Sequence, residues 1–169
     1  MGTGWFKDYT KYKLLLVAKD YLLKRRYHVT YDMFFHALYG EGKRYGNGIL
    51  WNALKESKKY KAYKEGQRKI LRKNDNEDLY IHSKGIEYTK GDLYYAVQHA
   101  TVTCAAFRKG RYWQVQFAIY DTFDFTEIRI PTSVGSAAND MGVFLQFINY
   151  FTPYNWSFTE KERIKIVKK

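Results

Sequence analysis

The sequence predicts an α+β fold: an N-terminal helical half packed on a small antiparallel β-sheet or open barrel that carries one further helix. Three observations predict it. Apolar residues recur at helical spacing up to residue 73, the periodicity changes to two in the second half, and the acidic turn-former run Asn74-Asp75-Asn76-Glu77-Asp78 separates the two regimes. With 169 residues, 46% hydrophobic content, 19% aromatic content and only 2 prolines, the chain is expected to fold rather than stay disordered. The expected organisation is a single domain, 1–169, with a basic helical half over 1–73 and a β-rich half over 79–169.

Each element follows from its pattern. Trp5 to Tyr27 places Tyr12, Leu15, Leu16, Ala18, Leu22 and Leu23 at helical spacing and ends on Lys24-Arg25-Arg26, cations that complement the C-terminal dipole. Thr30 is a suitable N-cap for a short helix over Tyr31 to Tyr39, with Gly40 at its end. The glycine-rich connector at 40–48 lacks the Lys-Ser/Thr ending of a phosphate-binding P-loop. A helix from about Ile49 to Ser57 and a basic helix to Lys73 follow. Beyond the break, Asp92 to Phe107 reads as a long strand, and Lys109-Gly110 turns it into a second strand over Arg111 to Asp121. Thr132 to Gly135 reads as a loop, and Ser136 or Asn139 caps a helix reaching about Tyr150 before Pro153 stops it. The tail from Tyr154 to Ile166 alternates again, which predicts a closing strand or hairpin.

The formal charge of +12 sits in the first half: residues 1–84 hold 19 Lys+Arg against 9 Asp+Glu, residues 85–169 only 10 against 8. Lys58, Lys61, Lys64, Arg68 and Arg72 form a stripe at helical spacing. It reads either as a solvated helix face or as a surface for a polyanion: anionic lipid, nucleic acid or an acidic protein. The interleaved run Lys59-Tyr60-Lys61-Ala62-Tyr63-Lys64 carries the nucleic-acid reading, provided its rings face outward. The single cysteine, Cys104, excludes an internal disulfide, and the longest apolar runs, such as Leu14 to Ala18, are too short to cross a bilayer. No signal peptide is visible at the N-terminus, so work outside the producing cell implies a longer precursor or a dedicated export route.

The candidate site lies at Tyr120-Asp121-Thr122-Phe123-Asp124-Phe125. From Trp113 the odd positions are Trp113, Val115, Phe117 and Ile119, so the next residue in the buried phase is Asp121. A carboxylate in that phase needs a hydrogen bond, a cation or a chemical role to offset its desolvation. Two carboxylates at this spacing can bind a divalent cation or divide into an acid and a base; the plainer alternative has Asp121 capping a turn and Asp124 facing solvent. Glu127, Arg129, Asn139-Asp140 and His99 on the partner strand are the nearby polar candidates, and Arg129 can bind a phosphate oxygen or pair with either aspartate.

Asp92-Leu93-Tyr94-Tyr95-Ala96, the hairpin and Asp121-Thr122-Phe123-Asp124 together resemble the C-terminal toxin domains of bacterial polymorphic toxins and bacteriocins, including the colicin M family. That family carries Asp-x-Tyr-Asp on a β-rich domain preceded by helices and cleaves lipid II, the lipid-linked cell-wall precursor, in a magnesium-dependent reaction. The resemblance implies Asp121 and Asp124 as catalytic and Mg²⁺-holding carboxylates, with Phe123 in place of the family tyrosine. The family's following His-Arg pair falls on Ile130 and Pro131, which leaves Arg129 and His99 as the substitutes.

The expected function is therefore an antibacterial toxin domain acting at the cell envelope, as a hydrolase of the lipid II pyrophosphate linkage. The resemblance also implies export within a larger toxin, action in the periplasm or at the membrane of a target cell, and a cognate immunity protein. Two alternatives stand beside it: a membrane-perturbing toxin working through the aromatic, basic helices of residues 1–73, and a basic protein that binds or cleaves nucleic acid.

Overall fold

A computed structural model describes residues 3–46, 48–123 and 152–167, with side-chain surroundings from residue 8 onward. Its elements run α1 (Thr3–Lys24), α2 (His28–Tyr39), α3 (Gly48–Glu56), α4 (Lys58–Lys73), β1 (Leu79–Glu87), α5 (Asp92–Ala96), β2 (His99–Lys109), β3 (Tyr112–Phe123) and β4 (Tyr154–Lys165). The four strands form one open antiparallel sheet in the order β1-β2-β3-β4, so the fold is α+β without a closed barrel. The chain forms two compact units, Met1–Tyr45 with Thr122–Trp156 and Gly46–Asp121 with Ser157–Lys169. The loop expected over 132–135 and the helix expected to reach Tyr150 lie outside the described residues.

In the first unit, α1 stops where Arg26 takes a left-handed backbone (φ 60°) and the Tyr27 N–H reaches back to the Leu22 carbonyl at 2.9 Å. This closure comes from a charged residue where glycine is usual, and so is not signalled by sequence. Helix α2 then starts at His28, not at the expected Tyr31: Thr30 lies inside it, buried, and Tyr27 at the N-cap makes no side-chain capping bond. Val29, Met33, Ala37 and Leu38 supply the buried face of α2. Among the described residues, Tyr45, Phe123, Tyr154 and Trp156 are the other buried residues of this unit.

The second unit carries the more regular core. Ser57 caps α4, its hydroxyl accepting the Tyr60 N–H at 3.3 Å. Tyr60, Tyr63, Gln67 and Leu71 then form the buried side of that helix. Opposite them the sheet offers Val102, Cys104, Ala106, Trp113, Val115, Phe117 and Ile119, all buried. Tyr63 meets Phe117 edge-on at 6.4 Å between ring centroids. The Trp113 indole N–H donates to the Asn74 carbonyl at 3.1 Å, which anchors the end of α4 to the start of β3. Burial of each large apolar side chain stabilises the unit by about 1.5–3 kcal/mol, before the entropy of ordering it.

The hairpin forms as expected, with Gly110 at φ 62° providing the left-handed residue between Lys109 and Tyr112. The long strand expected from Asp92 does not. Asp92–Ala96 is a short helix, and β2 begins only at His99, after Gln98 has taken φ 51°. A further strand, β1, precedes it and pairs from Leu79↔Phe107 to Glu87↔His99.

Candidate functional site

Strand β3 holds its phase to the end: Trp113, Val115, Phe117 and Ile119 are buried, Asp121 is half-buried in the same row, and Phe123 closes the row, buried again. The sequence-predicted position of Asp121 on the core face is therefore the observed one. The alternative of a turn at Asp121 is not observed: the strand continues through Thr122 to Phe123.

His99 stands elsewhere. The pairings Thr101↔Tyr120 and Val102↔Ile119 put Val102 on the face of Asp121 and Thr101 on the other. His99, two residues before Thr101, shares that opposite face, where it is exposed and lies 3.7 Å from Glu87. The structure thus does not bring the His99 ring to the face that carries Asp121. Asp124, Glu127, Arg129 and Asn139-Asp140 lie outside the described residues.

The first unit, which takes up the chain again at Thr122, holds a polar and aromatic cluster that periodicity did not single out. The Thr122 hydroxyl donates to the Asn155 side-chain oxygen at 2.7 Å. Phe123 stacks on Tyr154 at 5.1 Å, and the Tyr154 phenol donates to the Met33 carbonyl at 2.9 Å. His36 packs edge-on against Tyr154 at 4.4 Å and Tyr45 at 5.2 Å, while a ring N–H donates to the Lys43 carbonyl at 2.7 Å. The Tyr45 phenol donates to Asp32. Burial above all, with the carboxylate of Asp32 next for Tyr45, pushes both phenols well above the ordinary tyrosine value, so they remain protonated donors at neutral pH. Asp32 and His36 are one helical turn apart on α2; that spacing was the available signal, too common by itself to single them out.

The basic stripe resolves into two sets. Lys64 donates to Glu160 at 2.5 Å, sharing that carboxylate with the Tyr60 phenol at 2.8 Å. Arg68 forks onto Glu162, its Nε at 2.8 Å and an Nη at 2.6 Å. That fork is the main reason the Glu162 carboxyl sits below the ordinary glutamate value. Two cations of the expected stripe are therefore engaged with carboxylates of β4. Tyr60 and Tyr63 are buried at 0% and 8% exposure, so the rings of the Lys-Tyr run are not available to stack on bases. The Cys104 thiol, buried in the same core, is pushed up to about 12 by desolvation and is unreactive at neutral pH.

Among the described residues, no group of three or more His, Cys, Asp or Glu is assembled to hold a metal ion, and no helix is long and apolar enough to cross a membrane.

No protein-family profile matches the sequence, and no curated relative is found. Among solved structures the chain is similar to PaeM, a colicin M-like bacteriocin produced by Pseudomonas aeruginosa, with TM-score 0.37 and 14% identity over 83% of this chain and 52% of that one. It is also similar to pectocin M2, with TM-score 0.29 and 15% identity over 82% of this chain and 54% of that one. The chain spans about half the length of each. At these values the function rests on the chain's own residues.

Proposed function

We propose that this chain is an antibacterial toxin domain acting at the cell envelope, where it hydrolyses a lipid-linked pyrophosphate of the lipid II type. The observation that supports the reading is the half-buried Asp121, continuing a row of buried apolar side chains and followed at the motif spacing by Asp124.

In this reading one of Asp121 and Asp124 orients the attacking water and accepts its proton as the new bond to phosphorus forms and the bond from phosphorus to the leaving group breaks. The two carboxylates would hold Mg²⁺, and the metal would supply Lewis-acid polarisation of a phosphoryl oxygen. Arg129 neutralises charge on the leaving phosphate. His99, on the opposite sheet face, takes no part in the proton transfer.

The test is bacterial killing by the chain expressed with and without an export signal, alongside an Asp121→Ala variant shown by its thermal melt to be folded. Killing only after export and only with Asp121 is the expected result; killing from the cytoplasm, or by the folded variant, contradicts the proposal. One observation favours a second reading, membrane perturbation. Helix α1 leaves Tyr9, Tyr12, Leu16, Val17 and Tyr21 exposed among lysines, an interfacial composition. Release of vesicle contents undiminished by Asp121→Ala would favour that reading over hydrolysis.

A further inference from the structure

The cations of α4 do not act together. Lys64 and Arg68 are held by Glu160 and Glu162 of β4, with only 14% and 29% of their side chains exposed. Lys61 pairs with Glu56, and Arg72 lies 3.7 Å from Glu65. Lys58, Lys59, Lys69 and Lys73 are exposed, and among the described residues they have no ion pair. At 3.6 residues per turn Lys58, Lys69 and Lys73 lie on one side of the helix, along a line about 22 Å long. Between them the same side offers Ala62 and Gly66, both exposed, and it is flanked by Ile70 at 45% exposure.

We infer that this outward face of α4 is a docking surface for the anionic headgroups of a lipid bilayer. Charge complementarity gives the sign of the partner: the face carries free lysines, and its one carboxylate, Glu65, is already engaged by Arg68 and Arg72. Shape selects the partner. Small residues between the lysines allow a flat surface to approach the helix closely, and the exposed Ile70 can enter the headgroup boundary. A base-reading surface would need exposed rings or side chains that recognise base edges, yet the aromatics of α4 are on its buried side. The cations chosen by the structure thus differ from the stripe read at helical spacing. Lys64 and Arg68 belong to the internal ion-pair network, and Lys69 and Lys73 take their place on the outer face.

This inference deepens the envelope reading above and rests on it for the identity of the membrane, but its test does not pass through hydrolysis. The probe is sedimentation of the full chain with vesicles of phosphatidylcholine containing phosphatidylglycerol, at low and high salt. Removing two headgroup-facing charges at about 1 kcal/mol each corresponds to about a thirtyfold loss of partitioning, the effect expected of Lys69→Gln with Lys73→Gln. That variant should keep its melting temperature. Lys64→Gln with Arg68→Gln is the matched control, expected to lower the melting temperature and leave partitioning, measured well below the melt, within about threefold, because those charges face β4. Equal loss in both variants, or no binding by the wild-type chain even at low salt, overturns the inference while leaving the hydrolysis reading to its own assay. Binding to duplex DNA as tight as to the vesicles, and equally reduced by Lys69→Gln with Lys73→Gln, also overturns it in favour of a nucleic-acid surface.

Discussion

Helices α1 and α4 are both rich in lysine and aromatic residues, yet among the described residues only α4 has fully buried side chains. Its apolar positions, Tyr60, Tyr63 and Leu71 with Gln67 between them, recur every three or four residues and so fall on one face. In α1 the apolar positions Leu14, Leu15, Ala18, Leu22 and Leu23 also follow helical spacing but are only half-buried, and no described side chain of α1 is fully buried. The same distinction assigns the charges: α4 has a buried side on which β4 can meet Lys64 and Arg68, whereas the lysines of α1 lie largely at the surface, Lys13 over Tyr9 and Lys24 beside Asp20.

The contrast is broken most severely by removing an apolar contact of α4. Leu71 has 0% exposure, so Leu71→Ala is expected to cost about 2–5 kcal/mol in chemical denaturation. A cost below about 1 kcal/mol would show that α4 is no better seated than α1.

A smaller effect is expected at the ion pairs, and it carries a pH signature. Arg68 holds the Glu162 carboxyl below its ordinary value of 4.5, so the folded state binds fewer protons than the unfolded state across that interval. The stability this contributes is present above the ordinary value and is lost as pH falls through the depressed one. Because both side chains are partly exposed, the contribution is about 1 kcal/mol after screening. Glu162→Gln should therefore lower stability at pH 7 and flatten its decline in acid, as measured by denaturant midpoints between pH 7 and pH 3. An unchanged acid profile would mean that the Arg68 fork contributes nothing to folding.

The smallest effect is expected in α1. Val17 is 70% exposed, and Val17→Ala should leave stability within about 0.5 kcal/mol of the wild type. A larger loss in a thermal melt would reveal a packing role for α1 that its exposure does not show.

Legibility in the sequence depended on unbroken spacing. The inward row of β3 was readable because its alternation is unbroken for four residues before Asp121, and β4 was readable for a similar reason at Tyr154, Trp156, Ile164 and Ile166. Strand β1 was not. Its outward positions include Leu79 at 50% and Ile81 at 64% exposure, so large apolar residues occupy both faces and erase the alternation. Helix α5 was read as strand because five residues are too few to display a helical period, and the turn after it depends on Gln98 at φ 51°, where no glycine or asparagine signals it. At the site, the phase of Asp121 was legible and the side of His99 was not. That depended on register across β2 and β3, which no single strand's pattern contains. Glu160 and Glu162 were likewise invisible as partners of α4, since about ninety residues separate them from Lys64 and Arg68.

The central claim is tested most directly by the rate at which the purified chain releases phosphorylated product from a detergent-solubilised lipid-linked pyrophosphate in the presence of Mg²⁺, compared with a folded Asp121→Asn variant. The expected result is turnover by the wild-type chain, loss of at least about a hundredfold in the variant, and no turnover when Mg²⁺ is chelated. Equal rates in the two proteins, or no turnover by a wild-type chain that still kills after export, would contradict the assignment of Asp121 to that chemistry.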